Sequence, residues 1–260
     1  MEVVIQPSPA DVARVVADAV EALLQRKPNA VFGLATGSSP LATYDELIAR
    51  YRAGRISFAD ARGFLLDEYM GLPGDHPQSY RSFIERRFTG VVDFATGAVH
   101  SPNGTAADIP AECVAYEAAI RAAGGIDLQL LGVGSDGHVG FNEPSSSLAS
   151  RTRVKTLTEE TRADNARFFA GLDDVPHHVV TQGIGTILDA GHVVLIATGV
   201  AKAAPICSAV EGPLTAMCPA SALQLHPHAS IVVDEAAASE LTLTDYYRAT
   251  WRGKPAWQGL

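Results

Sequence analysis

Short apolar runs alternate along the chain with longer segments in which apolar residues recur at helical spacing. The apolar runs, which we predict to be buried strands, are residues 30–34, 63–66, 126–132, 192–197 and 229–233. The amphipathic segments, which we predict to be helices, are residues 10–26, 41–53, 79–88, 106–123, 177–189 and 201–210. Nearly continuous apolar strands separated by helices are typical of a parallel sheet that is covered on both faces. The pattern therefore predicts an α/β fold.

No Pro/Ser-rich linker, internal repeat or low-complexity stretch divides the chain, which has 260 residues. A chain of this length buries a substantial core as one large α/β domain. We therefore predict a single domain over residues 1–260, with a Rossmann-like, mostly parallel sheet and helices on both faces.

The composition narrows the range of functions. Hydrophobic residues make up 47% of the chain and charged residues 19%, and the formal net charge is −9. A nucleic-acid-binding protein is usually basic or carries a basic stripe, and this sequence shows neither, so we expect no nucleic-acid partner. An anionic substrate would need a local cluster of Arg, Lys and backbone N–H groups to overcome the overall charge.

The cysteines indicate a reducing compartment, and the N-terminal segment bears on whether the protein is exported. Cys113, Cys207 and Cys218 form no CxxC pair and lie near no histidine at metal-ligand spacing, so we expect reduced thiols and no metal site. The N-terminal segment shows no basic region followed by an apolar one, and the longest apolar run, residues 192–200, is too short to span a bilayer. We expect a cytoplasmic protein without a membrane segment.

The loops that leave the predicted strands are the places to look for chemistry, because ligands of such folds lie outside the carboxyl ends of the strands. The first of these loops is residues 36–40, Thr-Gly-Ser-Ser-Pro. Free N–H groups before a helix, with hydroxyl donors beside them, are suited to a phosphate group. A plain strand-to-helix turn capped by serine is the alternative.

The second loop places two carboxylates, Asp67 and Glu68, directly after a predicted strand. An acidic residue at this position is often only a helix cap. The functional alternative is a general base at the mouth of the sheet, where partial burial would raise its pKa toward the working range.

The third loop, residues 132–144, is rich in glycine and holds Asp136, His138 and Glu143. The two carboxylates flank the imidazole, and both could orient it. Carboxylate–imidazole pairs transfer protons near neutral pH, which makes this loop the strongest candidate for catalysis. One histidine and two carboxylates on a single loop are a weak case for a metal site.

Five segments resemble the glucosamine-6-phosphate deaminase family: residues 36–40, 66–72, 132–144, 150–158 and 223–227. The resemblance runs nearly from end to end. Its most specific part is the Gly-Phe-Asn-Glu-Pro run of residues 140–144, which follows Asp-Gly-His at residues 136–138. The related 6-phosphogluconolactonases share a similar Gly-rich loop with Asp-Gly-His, but they have no counterpart of Glu143.

The resemblance implies an enzyme of amino-sugar catabolism that converts glucosamine 6-phosphate into fructose 6-phosphate and ammonia without a cofactor, and we expect it to be classed as a hydrolase. In the family, an aspartate matching Asp67 is the enolisation base. Residues matching Asp136, His138 and Glu143 open the sugar ring.

The resemblance also implies two sets of phosphate-binding residues. The substrate phosphate is held in the family by residues matching Thr36, Gly37, Ser38, Arg167 and Lys202. Without the resemblance, the two basic residues would be read as parts of solvated helix faces.

A second phosphate site is implied by segment 146–156. In a strand, Arg153 and Lys155 point to the same face. In family members that are hexameric and activated by N-acetylglucosamine 6-phosphate, residues matching Ser146, Arg153, Lys155 and Thr156 bind the activator phosphate between subunits. We therefore expect a homo-oligomer with this activator. The family's C-terminal tyrosine matches Tyr247, or Arg248 if the alignment slips by one residue.

Two alternatives remain open. A 6-phosphogluconolactonase would hydrolyse a lactone and would need no enolisation base. A non-catalytic sugar-phosphate sensor would lose the acid/base residues, which this chain keeps, and would usually carry a helix-turn-helix. Fold alone does not decide among these functions.

Overall fold

The structure is a computed structural model, and it describes residues 1–166, 169, 171–255 and 257–260. The strands of the described residues are β1 (Glu2–Gln6), β2 (Val31–Leu34), β3 (Arg62–Leu65), β4 (Asp67–Tyr69), β5 (Val99–His100), β6 (Leu128–Leu131), β7 (Arg153–Thr156), β8 (His178–Thr181), β9 (His192–Ala197) and β10 (Ala229–Asp234). Seven of them form the central sheet in the order β1-β10-β9-β6-β2-β3-β5. Every neighbouring pair in this sheet is parallel. The predicted fold class, an α/β fold with a parallel sheet flanked by helices, is confirmed.

The described helices are α1 (Pro9–Arg26), α2 (Leu41–Arg52), α3 (Tyr80–Ile84), α4 (Ile109–Ala122), α5 (Glu159–Asn165), α6 (Ile184–Leu188), α7 (Ala203–Val210) and α8 (Thr244–Arg252). Capping residues and prolines explain where several of these helices begin. Ser8 caps α1 and Asp108 caps α4, and each of these helices has a proline in its first turn, where the missing N–H costs nothing. The predicted helix 79–88 is α3 followed by a π-helical turn, Glu85–Thr89.

The chain reverses its direction across the sheet between β2 and β6, which are neighbours. From β2 it crosses through α2 to β3 on one side, and from β6 it continues to β9 on the other side. Because such crossovers are right-handed, the two connections lie on opposite faces and leave a crevice at the carboxyl ends of β2 and β6. The fold therefore creates a ligand crevice between the loops at 36–40 and 132–144.

A second sheet, antiparallel and in the order β4-β8-β7, lies beside this crevice. The prediction of one helix over residues 177–189 is wrong: the segment forms β8 and then the short helix α6. Two valines in β8 are completely buried and pair with both neighbours, and this pairing outweighs the helical spacing. A separate small apolar cluster of Tyr69, Phe141, Leu157 and Val179 supports the sheet.

Among the helices that the structure describes, none combines the length and the apolar composition that a bilayer-spanning helix needs.

Candidate active site

The predicted catalytic residues and the described phosphate-binding residues lie on segments that follow four adjacent strands of the central sheet, β9, β6, β2 and β3. The loops after β2 and β6 touch: a Cβ added at Gly132 would lie 3.0 Å from Oγ of Ser39. The loop after β6 also reaches Asp67, because a Cβ added at Gly140 would lie 3.7 Å from its Oδ2. Residues that are far apart in the sequence are thus brought to one edge of the sheet.

Asp67 begins β4 and is only 5% exposed. Its Oδ1 atom has no hydrogen-bond partner among the described residues. Burial, and secondarily the charge of Glu68, raises the pKa of Asp67 from 3.8 to about 8. A buried carboxyl without a partner is costly for the fold. It has the properties of a general base that waits for a proton from a bound ligand.

Glu68 is equally buried but has a structural role. Its carboxylate accepts hydrogen bonds from the backbone N–H groups of Tyr69, Tyr80 and Arg81 at 2.9–3.0 Å. The last two belong to the first turn of α3, whose N–H groups have no partner within the helix. The sequence left a helix cap and a general base as alternatives for these two acids. Glu68 has the first role, because it binds the start of α3. Asp67 keeps a carboxyl oxygen without a partner among the described residues.

His138 and Asp136 form a close pair in the Gly-rich loop. Nδ1 of His138 lies 2.6 Å from Oδ1 of Asp136, although the two groups are not aligned for a straight hydrogen bond. The same carboxylate accepts the backbone N–H of His138 at 3.1 Å. Burial opposes ionisation of Asp136, but the contacts with His138 outweigh it and hold the pKa of Asp136 below its usual value. Both side chains are partly exposed, so the imidazole is accessible to a ligand.

The ring of His138 rests on the backbone of Gly134. A Cβ added at Gly134 would overlap the imidazole at Cε1, Nδ1 and Nε2. The close approach of the ring therefore requires glycine at position 134. Gly137 is needed for a different reason, since the turn between Gly134 and His138 gives it a positive φ of 83°.

Glu143 is also buried, but it does not contact the imidazole within 4 Å among the described contacts. Its Oε1 accepts hydrogen bonds from the hydroxyl groups of Thr161 at 2.7 Å and Thr158 at 3.4 Å. Thr158 is also the N-cap of α5. The structure thus joins His138 to Asp136 and not to Glu143. Neither threonine was predicted as a site residue, although threonine is a favoured N-cap residue and Thr158 has that position here.

The described residues that we predicted to bind the substrate phosphate lie on two sides of the crevice. Gly37 has a positive φ of 82°, and the backbone N–H groups of residues 36–39 donate to no protein acceptor in the part of the chain that is described. Pro40 is the N-cap of α2 rather than its first helical residue. On the other side, Nζ of Lys202 donates to the carbonyl oxygen of Val133 at 2.7 Å.

Partial burial lowers the pKa of Lys202, and the nearby charge of Asp136 opposes this. Lys202 is therefore part of the site rather than a solvated helix face. Arg167, the other basic residue predicted to bind phosphate, lies outside the described residues.

The four residues predicted to bind an activator do not share one surface. Arg153 and Lys155 are half-buried and point to one face of β7, and Thr156 is exposed on the other face. Ser146 is buried, and its Oγ has no hydrogen-bond partner among the described residues. Burial lowers the pKa of Arg153, which has no carboxylate within 4 Å among the described ion pairs.

The two C-terminal candidates for the activator site are occupied elsewhere. The hydroxyl of Tyr247 donates to Glu211 at 3.1 Å, and Arg248 pairs with Glu235 at 2.5 Å. Both contacts lie within one copy of the chain, and neither involves β7.

No group of three or more His, Cys, Asp or Glu residues in the described part of the chain is arranged to hold a metal ion. The chemistry that the described residues offer is proton transfer: a partnerless carboxyl, a carboxylate–imidazole pair and a set of anion-binding donors.

Comparison with known proteins agrees with this arrangement. A family model described as "Glucosamine-6-phosphate isomerases/6-phosphogluconolactonase" matches residues 8–232. The chain belongs to this family. Within the family, the glucosamine-6-phosphate deaminase of Mycolicibacterium smegmatis is 62% identical over 261 residues, and that of Beutenbergia cavernae is 64% identical over 261 residues. Both comparisons cover 100% of this chain and 100% of the relative.

Solved structures separate the two branches of the family. A monomeric glucosamine-6-phosphate deaminase is 40% identical with a TM-score of 0.89, covering 92% of this chain and 100% of that chain. The 6-phosphogluconolactonase of Trypanosoma brucei is 19% identical with a TM-score of 0.73, covering 93% of this chain and 98% of that chain. The lactonase therefore shares the fold alone.

One expectation from the sequence is wrong. The relatives are deaminases and the family model names isomerases, so the chain belongs with the isomerising deaminases and not with the hydrolases. The groups that the described site offers, a buried carboxyl and a carboxylate–imidazole pair, are groups that transfer protons.

Proposed function

We propose that this protein is a glucosamine-6-phosphate deaminase, which converts glucosamine 6-phosphate into fructose 6-phosphate and ammonia. The observation that carries the proposal is the partnerless carboxyl of Asp67, with a pKa raised to about 8, beside the loop that holds Asp136 and His138. A base for a carbon-bound proton and an imidazole for an oxygen-bound proton are the two groups that the reaction needs.

The reaction begins with ring opening. His138 takes the proton of the C1 hydroxyl of the cyclic sugar and returns a proton to the ring oxygen, and Asp136 holds the imidazole in place. Asp67 then removes the proton from C2 of the open aldehyde while the substrate ammonium passes a proton to the aldehyde oxygen, which gives an enolamine, and Asp67 returns its proton to C1. The resulting C2 imine takes up water and releases ammonia, leaving fructose 6-phosphate. These steps need no metal or organic cofactor.

The substrate itself assists the base. Its amino group is attached to C2, next to the proton that Asp67 removes. When this group is an ammonium ion, its charge lowers the pKa of Asp67 in the complex and favours the ionised carboxylate. Burial therefore keeps Asp67 basic, and the bound substrate activates it.

The loop at 36–39, Lys202 and Arg167 hold the phosphate in this proposal. Four backbone N–H groups that have no acceptor among the described residues, together with an ammonium, supply the local positive field that a chain with a net charge of −9 otherwise lacks. Because a charged sugar phosphate does not cross a membrane unaided, we place the enzyme in the cytoplasm.

The experiment that tests the proposal measures ammonia release from glucosamine 6-phosphate by the purified protein, with hydrolysis of 6-phosphogluconolactone measured in parallel. Ammonia release with stoichiometric fructose 6-phosphate supports the deaminase. Lactone hydrolysis without ammonia would replace it by the lactonase, and binding without turnover would replace it by a sensor.

We also propose that N-acetylglucosamine 6-phosphate activates the enzyme in a homo-oligomer. Two half-buried cations on one face of β7, Arg153 and Lys155, support a second phosphate site. Thr156 points away from them, so a neighbouring subunit would have to complete the site together with Ser146. The comparisons include a monomeric relative, and a monomer lacks such an interface.

The test is substrate saturation with and without the acetylated sugar phosphate. We expect the activator to lower the substrate concentration at half-maximal rate by roughly 5- to 150-fold, the range of common coupling energies. Lys155→Ala should abolish this effect and preserve the maximal rate. A hyperbolic curve that the activator leaves unchanged, or a monomer in solution, would contradict allostery and leave the deaminase proposal intact.

A further inference from the structure

Asn142 lies in the Gly-rich loop between the proton-transfer residues, and its side chain is completely buried. Its Nδ2 donates two hydrogen bonds. One goes to the carbonyl oxygen of Val139 at 2.9 Å and closes the turn around Gly140. The other goes to the carbonyl oxygen of Gln182 at 2.8 Å, 40 residues further along the chain. The amide therefore fastens the end of the loop to the segment after β8.

Gln182 continues this connection toward the proposed base. Its backbone N–H donates to the carbonyl oxygen of Leu66 at 2.7 Å, and its Nε2 donates to the carbonyl oxygen of Leu65 at 3.0 Å. These two residues come directly before Asp67. Three hydrogen bonds, one from Asn142 to Gln182 and two from Gln182 to Leu65 and Leu66, thus link the Asn142 side chain to the backbone that carries the carboxyl.

Gly140 shows how closely these groups surround one point. A Cβ added there would lie 3.1 Å from Oγ1 of Thr181, 3.7 Å from Nδ2 of Asn142 and 3.7 Å from Oδ2 of Asp67. Thr181 is also paired with Asp67 across the antiparallel sheet. The loop, β8 and the base therefore meet at Gly140, whose positive φ of 56° lets the chain turn away.

We propose that Asn142 is a positioning residue, which sets the distance between the loop that carries Asp136 and His138 and the base Asp67. The inference rests on the proposed function and deepens it. Ring opening and C2 deprotonation occur on the same substrate molecule, so the two groups must be held at a fixed separation. Displacements of about 1 Å can cost on the order of 10²-fold in rate.

The packing of the loop against β8 also excludes water from the carboxyl of Asp67. Among the described residues, the ionisable groups coupled to it are Glu68 and Tyr69 on its own strand, Tyr80 of α3 and Tyr116 of α4, and none of these is a cation. Burial is therefore the main source of its basicity. A loosened loop would admit water to the carboxyl and move its pKa back toward the ordinary value.

The test compares Asn142→Leu, which keeps the approximate shape and removes both donors, with Gln224→Leu. Gln224 is a matched control because its Nε2 also donates to two carbonyl oxygens, those of Ala209 and Gly212, away from the site. Both variants should lower Tm. We expect only Asn142→Leu to lower kcat, by roughly tenfold or more, with a smaller change in KM because the phosphate donors are untouched.

The pH dependence of kcat separates positioning from stability. In Asn142→Leu, the acid limb of the kcat profile should move to lower pH, and in Gln224→Leu it should stay in place. If Asn142→Leu does not fold, Asn142→Ser, which keeps one donor, must show the lowered kcat and the shifted acid limb that Gln224→Leu does not show. A variant that loses Tm but keeps kcat and its pH profile would overturn the inference. Absence of ammonia release by the unmodified protein would instead overturn the proposed function.

Discussion

At the scale of single residues, environment decides what identical chemical groups do. Asp67 and Glu68 are adjacent carboxylates on a three-residue strand, and their side chains point to opposite faces. Glu68 receives three backbone N–H groups, whereas Oδ1 of Asp67 receives no hydrogen bond within the described chain. The residues alone left a helix cap and a general base as alternatives for these acids, and only the family resemblance pointed to Asp67 as the base, because the division of roles depends on where α3 begins.

The raised pKa of Asp67 predicts a pH-dependent cost to the fold. The pKa of Asp67 is about 8 in the folded protein and 3.8 for an ordinary aspartate, so the folded state holds this proton more tightly than the unfolded state does. The protein therefore loses stability as pH rises from about 4 to about 8. Asn has no proton to lose. We expect Asp67→Asn to have a higher Tm than the unmodified protein at pH 8, with the difference shrinking toward pH 4. A difference independent of pH in thermal unfolding would contradict the raised pKa.

Gly134 gives a steric test of the His138 position. Gly134→Ala should push the imidazole away from its place and reduce turnover of the cyclic sugar, by roughly tenfold or more if the ring moves by a sizeable fraction of an ångström. Gly171→Ala is the matched control, because a Cβ there meets no described residue within 4 Å and the backbone is extended. Steady-state kinetics check both variants, and equal activity in the two would show that the ring is not confined.

At the scale of elements, the small antiparallel sheet was the part that the sequence predicted least well. Its strands have three or four residues each, and their pairing joins segments as far apart as Asp67 and Thr181. Such short runs carry too few positions for a period to be visible, and their stability comes from neighbours that are distant in the sequence. Five of the seven strands of the main sheet carry their own apolar pattern, and those predictions were confirmed, whereas the edge strands β1 and β5 were not among the predicted runs.

A buried carboxylate ties this small sheet to the rest of the fold. Glu117 of α4 accepts hydrogen bonds from the N–H and hydroxyl of Thr152 beside β7 and from the hydroxyl of Thr186 in α6, and it pairs with Arg151. Burial alone would raise the pKa of Glu117, but these donors lower it to about 2. The network therefore holds three elements together at neutral pH.

Glu117→Gln should weaken this network, because the amide presents one acceptor oxygen instead of two. We expect a loss of about 1–3 kcal/mol of unfolding free energy at pH 7. A group whose pKa is lowered on folding stabilises the protein above its ordinary pKa of 4.5 and loses that effect as pH falls to about 2. Denaturant unfolding at pH 7 and at low pH should therefore show a difference that narrows in acid, and a constant difference would contradict the account.

At the scale of the whole molecule, the strand order explains why the site could be located from the sequence. The chain reverses between β2 and β6, and the loops at 36–40 and 132–144 leave these two strands. A rule about carboxyl ends of parallel strands was therefore sufficient to find the loops. The contacts among the side chains were not predictable in the same way: Glu143 was expected beside His138, and the fold directs it to α5 instead.

The measurement that tests the central claim most directly is the turnover of glucosamine 6-phosphate by Asp67→Asn. Asn cannot accept the C2 proton, so ammonia release should fall by at least ~10²-fold, the scale of a general base. Binding of the substrate should be nearly unchanged, because the phosphate donors lie on other loops. Ammonia release by a folded Asp67→Asn at the rate of the unmodified protein would contradict the account.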